Sequence, residues 1–175
     1  SKSYSITRKG NFEGLNHLVR NDNRQLKEIE SKLLTVRIKR QQPSPDNKII
    51  SRINALSCIA LIQAGRLLNK PDLEYKAADL IDKILSVFWD GKNLGHSAFN
   101  GKIQKQPFLS DAAAVLTALT MLAESDEKWK PQVAVFASYV ESFRENENWI
   151  ESRSEDFKLV HASCFDHPFP SSVSL

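Results

Sequence analysis

Residues 49–68, IISRINALSCIALIQAGRLL, and residues 108–125, FLSDAAAVLTALTMLAES, decide how the chain is read. In the first stretch Ile49, Ile50, Ile53, Leu56, Ile59, Leu61 and Leu67 leave almost no polar face, and in the second Leu109, Ala113, Leu116, Leu119 and Leu122 do the same. Helices that are apolar nearly all round are expected inside a structure. Each is followed by a segment with one apolar stripe and charge opposite: Leu73, Ala77, Leu80, Ile81, Ile84 and Phe88, then Trp129, Val133, Phe136, Val140 and Phe143. Such helices lie outside, against the first kind. The chain therefore reads as an inner/outer helical hairpin occurring twice, from Lys48 to Phe88 and from Phe108 to Phe143. Asn54 and Asp111 stand 57 positions apart, as do Ala77 and Ala134. A repeated helix pair with a period of several tens of residues marks a helical solenoid or a closed α/α toroid. The expected class is all-α.

Outside the hairpins the signals are local. Thr7 to Gly10 reads as a turn and Asn11 to Gly14 as a compact segment. Arg24 to Arg40 carries Leu26, Ile29, Leu33 and Val36 at helical spacing, with Asp22 or Asn23 as N-cap. Pro43 and Pro45 end that helix and force an extended link, after which Asp46 or Asn47 can cap the first inner helix. Asn69 to Asp72 turns the chain between helices, with Pro71 at an early helical position. Between the hairpins, Trp89 to Lys92 forms one turn and Asn100-Gly101 another. The flanks of the second, Leu94 to Phe99 and Lys102 to Gln106, fit a β-hairpin closed by a type I′ turn. A further strand pair is expected around Ser154-Glu155-Asp156, within Trp149 to Val160.

The 175 residues fit one domain spanning 1–175, and 41% hydrophobic residues supply a core. With a net charge of +3 and dispersed Lys and Arg, no nucleic-acid surface is expected, since the short basic cluster Arg37, Lys39 and Arg40 is explained by a solvated helix end. No apolar run reaches the roughly 20 residues that a membrane span needs, so no membrane partner is expected. Cys58 and Cys164 lie in dissimilar settings without a CxxC, which fits free thiols in a reducing, cytoplasmic compartment. No HxxxH, ExxH or clustered Cys/His is present, and glycines are scattered, so neither a metal nor a phosphate-bearing cofactor is expected.

Four separated segments together resemble one family. They are Gly10-Asn11-Phe12-Glu13-Gly14, Pro45-Asp46-Asn47-Lys48-Ile49-Ile50 with Asn54, Pro107-Phe108-Leu109-Ser110-Asp111, and Asp166 with Pro170-Ser171. Their order and spacing are similar to the family of spermatogenesis-associated protein 20 and its bacterial relatives. Those proteins pair an N-terminal thioredoxin-like domain with an α/α-toroid domain related to six-hairpin glycosidases and N-acylglucosamine 2-epimerases. The resemblance implies an internal slice of an (α/α)6-type toroid, with a small β-hairpin insertion and with the thioredoxin-like domain elsewhere in the full-length protein. The chain departs from the family where a Trp-Asn-Gly becomes Ile53-Asn54-Ala55, a Leu-Glu-Asp-Tyr becomes Leu109-Ser110-Asp111-Ala112, and a Pro-Ser-Gly-Asn-Ser becomes Pro170-Ser171-Ser172-Val173-Ser174. These changes remove an aromatic, a carboxylate and an amide, groups able to face a sugar.

In a toroid the N-terminal ends of inner helices gather at one mouth. Asp46, Lys48 and Asn54 from one inner helix and Ser110 and Asp111 from the next are then candidate substrate contacts, with Asp111 also a candidate catalytic carboxylate. Glycosidic cleavage needs a second carboxyl group roughly 5 to 9.5 Å away, and Glu13, Asp46 or Asp166 are the candidates for it. Helix capping accounts for Asp46 and Asp111 equally well. Epimerisation would instead use histidines as acid and base, with His96 and His167 better placed than His17 and His161. Phe99, Phe108, Trp149 and Phe169 offer aromatic surface for a sugar ring or simply hydrophobic core. Two function classes follow: a sugar-binding or sugar-processing toroid, either active or divergent and inactive, and a non-catalytic scaffold that supports the thioredoxin-like domain or another protein. A slice of a ring is expected to be inactive alone, and its uncovered inner-helix faces favour self-association.

Overall fold

The computed structural model describes residues 2–24, 26–153, 162 and 170–175. Within the 1–175 span read as one domain, contacts group the chain into two compact units, Ser1–Pro45 and Asp46–Leu175. Helix accounts for 52% of the structure and the strands form small antiparallel pairs, so the class is helical with minor strand additions.

The first unit holds a short 3-10 turn, Lys2–Tyr4, and helix α1, Lys27–Ile38. The helix begins three residues later than its periodicity suggests. Asp22 does not cap it, because its carboxylate is taken by the Arg24 guanidinium at 2.7 Å. Leu26 occupies the capping position without a side-chain bond, and no residue of α1 is buried. The Asn11 side chain organises the preceding loop by donating to the carbonyls of Ser5 and His17 and accepting from the His17 N–H.

The second unit contains both hairpins. Strand β1, Ile49–Ile50, leads into α2, Ser51–Leu67, and α3, Pro71–Phe88, returns antiparallel to it. Pro71 opens α3 as expected, and Asn69 takes the left-handed conformation at φ 52° that lets the chain reverse. Strands β2, Ser97–Phe99, and β3, Lys102–Gln104, form the expected hairpin, with Asn100 and Gly101 both at positive φ as a type I′ turn requires. Strand β1 pairs with the other edge of β2. The second hairpin is α4, Leu109–Ser125, a 3-10 turn at Glu127–Trp129, and α5, Lys130–Glu141. It ends in a strand pair, β4 at Arg144–Glu145 with β5 at Asn148–Trp149, which precedes the position expected from sequence; residues 154–161 lie outside the described set.

The two inner helices are buried to different extents. In α4 the residues from Leu109 to Val115 are buried, with Ala118, Leu119 and Leu122 continuing inward. In α2 burial is confined to a stripe of Ser51, Ala55, Cys58, Ile62 and Gly65, while Ile53 and Leu67 are exposed. The difference arises because α2 packs mainly against α3 and α4, whereas α4 packs against α2, α3, α5 and the 3-10 turn. From outside, α3 contributes Ala77, Ile81, Ile84 and Phe88, and the second outer segment contributes Trp129, Phe136, Tyr139 and Phe143. Burial pushes the Cys58 thiol up to about 12, which leaves it an unreactive core group. Among the described residues no helix is long and apolar enough to cross a membrane.

At the far end of the hairpins Arg66 joins α2 to α4, bonding Glu124 and the Met121 carbonyl at 2.6 Å each. The apolar packing carries more of the stability than this exposed ion pair, whose class contributes about 0–1 kcal/mol. Replacing the fully buried Ile81 with alanine should therefore cost about 2–5 kcal/mol in urea denaturation. The same change at the exposed Tyr75 should stay within about 0.5 kcal/mol. Equal effects at both positions would be inconsistent with the hairpin packing described.

Candidate functional site at the inner-helix mouth

The strands set the register of the repeat. Before α2, Ile50 pairs with Ser97 and the Ser51 N–H donates to the His96 carbonyl at 2.9 Å. Before α4, Phe108 pairs with Ser152 and the Leu109 N–H donates to the Glu151 carbonyl at 2.8 Å. One residue earlier, the Gly95 N–H bonds the Phe88 carbonyl and the Ile150 N–H bonds the Phe143 carbonyl, at 2.8 and 2.9 Å. His96 and Glu151 thus occupy equivalent places, 55 positions apart, whereas the helix starts match at 58, Ile50 with Phe108. The register puts Asp111 opposite Ile53 and Asn54 opposite Ala112, one step from the pairing that a constant offset of 57 implies.

Asp111 is the centre of the mouth. It is fully buried, and each carboxylate oxygen has a partner: Oδ1 accepts from the Arg52 backbone N–H at 3.1 Å and Oδ2 meets Nδ1 of His96 at 2.8 Å. The first bond caps α2 from a neighbouring helix, because Ile50 supplies no side-chain cap. The positive N-terminal end of α2 also offsets part of the cost of burying the charge. Since an ionised carboxylate only accepts, the second bond places the proton on Nδ1 of His96. In the neutral imidazole that leaves Nε2 with a free lone pair. The His96 side chain is 31% exposed, and its ring lies 4.8 Å from the Phe108 ring in an edge-to-face contact. The hydrogen bond to Asp111 raises the His96 pKa above its ordinary value, while partial burial opposes the shift.

The remaining sequence candidates are placed as follows. Ser110 is buried beside Asp111, and its backbone N–H donates to Oε1 of Glu151 at 3.2 Å. Asn54 donates to its own helix at the Ile50 carbonyl at 2.8 Å. Asp46 and Lys48 form an exposed turn, in which Asp46 accepts from the Lys48 N–H at 3.1 Å and does not cap α2. Glu13 is exposed, at φ 47°, and belongs to the first unit. Asp166 and His167 lie outside the described residues. The structure therefore brings His96, Phe108, Ser110 and Asp111 together and adds two residues that sequence reasoning missed, Arg52 through its backbone and Glu151. Only the shortened spacing of 55 separates Glu151 from His96 in the repeat, so a search at constant offset passes over it.

The sign of the His96 shift fixes a pH dependence. A raised folded-state pKa contributes stability that is fully present below the unfolded histidine value of about 6.5 and lost as pH rises through the folded value. An NMR titration of the His96 ring protons should give a midpoint above about 6.5. In Asp111→Asn the midpoint should fall, because burial then acts without the carboxylate. Asp111→Ala, which leaves the Arg52 N–H and His96 without their acceptor, should cost about 3 kcal/mol in urea denaturation. An unshifted midpoint in Asp111→Asn would remove the bond from the account.

No protein-family model matches the sequence, and no curated protein matches it. Solved structures do. An alpha-amylase from Clostridium perfringens aligns with a TM-score of 0.55 at 15% identity, over 68% of this chain and 36% of that one. A sugar epimerase from a ruminal bacterium aligns with a TM-score of 0.54 at 11% identity, over 74% of this chain and 34% of that one. The chain spans about a third of the length of each. These likenesses show a fold shared with an alpha-amylase and a sugar epimerase, compatible with an α/α-toroid reading of the two hairpins.

Proposed function

We propose that the helical unit is a carbohydrate-binding domain of the α/α-toroid kind and that its inner-helix mouth handles a proton on a sugar through His96. The observation that carries the reading is the buried Asp111 carboxylate fixing the Nδ1–H of a part-exposed histidine. That arrangement directs the basic Nε2 away from Asp111 and keeps its tautomer constant, which is what a general base needs. Asp111 itself is a positioning residue, because both oxygens are committed inside the protein. Phe108, in contact with the imidazole, supplies apolar surface for the face of a pyranose ring. The likeness to an alpha-amylase and a sugar epimerase supports sugars as the ligand class. The four family-like segments extend the reading to a neighbouring thioredoxin-like domain in the same protein, with the toroid beside it.

A scaffold role is favoured by one observation: Asp46, Lys48 and Asn54 all serve local turns or helix ends, and Asp111 is closed to solvent. Binding separates the two readings. Titration of the chain with glucose and with maltose, followed through the His96 ring resonances, should shift those signals in a saturable manner. His96→Ala, titrated by calorimetry beside the unsubstituted chain, should weaken the affinity by about tenfold, the effect of losing one good hydrogen bond to a ligand. Absence of any saccharide-dependent shift would decide for the scaffold.

A further inference from the structure

At the far end of the hairpins, away from the mouth, the first two turns of α3, the last turn of α4 and the 3-10 turn at Glu127–Trp129 bound a hollow of about 330 Å³. Its size falls within the range of small-ligand sites, about 300–1,000 Å³. Two aromatic rings line it, the exposed Tyr75 and the buried Trp129, together with two carboxylates, Glu74 and Asp126, and one ammonium, Lys128. Lys128 already seats a cation there: its Nζ stands 5.1 Å from the centre of the Trp129 ring and 3.2 Å from Oδ2 of Asp126. Glu74 has spare capacity. Its Oε2 accepts from the Ser125 hydroxyl at 3.0 Å and lies 3.7 Å from Nε of Arg66, whereas Oε1 takes no hydrogen bond among the described residues and is open to solvent. The two carboxylates exceed the single ammonium by one negative charge. Backbone fields act in the same sense, because α4 ends here at Ser125 and the negative end of a helix favours a cation. Asp72 and Glu74, in the first turn of α3, offset the opposite sign of that helix start.

We propose that this hollow binds a small organic cation, an alkylated or quaternary ammonium, whose head takes the place of the Lys128 ammonium on Trp129, with Tyr75 against its alkyl groups and Glu74 and Asp126 balancing its charge. Three features carry the assignment. The face of an aromatic ring attracts a cation, and the attraction grows as the cation sheds water. The ammonium of a lysine is strongly hydrated, whereas one whose hydrogens are replaced by methyl groups is not, so the methylated head gains more from the same ring. The exchange costs little, because Lys128 and Asp126 are exposed and an exposed ion pair contributes little to stability. Released from Trp129, the flexible lysine stem extends into water and uncovers the indole. The second carboxylate, through Oε1 of Glu74, supplies charge that the tethered ammonium does not use. This site shares no residue with the mouth, so its occupancy is independent of any sugar.

The probe is choline chloride, titrated into the chain while the Trp129 indole N–H and the Tyr75 ring signals are followed by NMR, with sodium chloride at equal concentration as the control for ionic strength. Both sets of signals should shift saturably with choline and not with sodium. Lys128→Ala, which removes the competing ammonium, should tighten choline binding about threefold, and Tyr75→Ala should weaken it about tenfold. Both side chains are exposed, and a thermal melt of each variant checks that the fold is retained. Equal shifts with choline and sodium, or an affinity that Tyr75→Ala leaves unchanged, would overturn the site. Weaker binding in Lys128→Ala would overturn it too, since Lys128 would then belong to the seat rather than occupy it. Should either variant melt well below the unsubstituted chain, saturation transfer from Tyr75 and Trp129 to the choline methyl groups in the unsubstituted chain decides, and its absence rejects the site.

Discussion

The arrangement of the second unit depends on one buried carboxylate. Asp111 receives a backbone N–H from the first turn of α2 and an imidazole N–H from the segment that follows α3, so three separate parts of the chain meet on two oxygen atoms. An isolated charge is costly in a core, and only donors in place at the same moment make its burial tolerable. The helical end of α2, the extended segment carrying His96 and the start of α4 must therefore adopt their positions together. Hydrophobic packing between α2, α3 and α4 supplies the larger energy, but it leaves sliding and rotation of the helices less restricted than a pair of directional bonds does.

Features governed by neighbouring residues were legible in the sequence. Pro71 at the start of α3, the left-handed Asn100-Gly101 turn and the apolar stripe of α3 each follow from local rules and appear in the structure. Features governed by distant partners were not. The N-terminus of α1 lies later than local rules place it because Asp22 has a closer use in Arg24, and the carboxylate at the start of α2 is that of Asp111, 59 residues from its partner Arg52, rather than the nearby Asp46. Tyr139 stands outside the apolar stripe read for the second outer helix, yet its ring is buried and its hydroxyl accepts the Leu94 N–H at 3.0 Å. The exposed face of α2 shows a complementary limit: composition says what a helix face prefers, while the neighbours present determine whether the preference is met.

At the mouth the proposed site residues are also structural ones. The carboxylate that orients His96 through one oxygen holds the start of α2 through the other, and the bond that fixes Glu151 holds the start of α4. Such doubling gives site residues their rigidity without any dedicated supporting layer, as each is anchored to a regular element through a backbone group. It also explains why residues chosen from sequence for a sugar site turn out to be occupied in holding helices.

The origin of the helix caps gives the repeat a direction. The first turn of α2 takes its carboxylate from α4, in the repeat that follows, and α4 takes its own from Glu151, beyond the end of α5. No inner helix is completed by its own hairpin. A hairpin excised by itself would retain its outer helix and its apolar contact, but it would lose the acceptor for the leading N–H groups of its inner helix. Stability in this fold is consequently passed backward along the chain, because the start of each inner helix is capped from the segment that follows its hairpin.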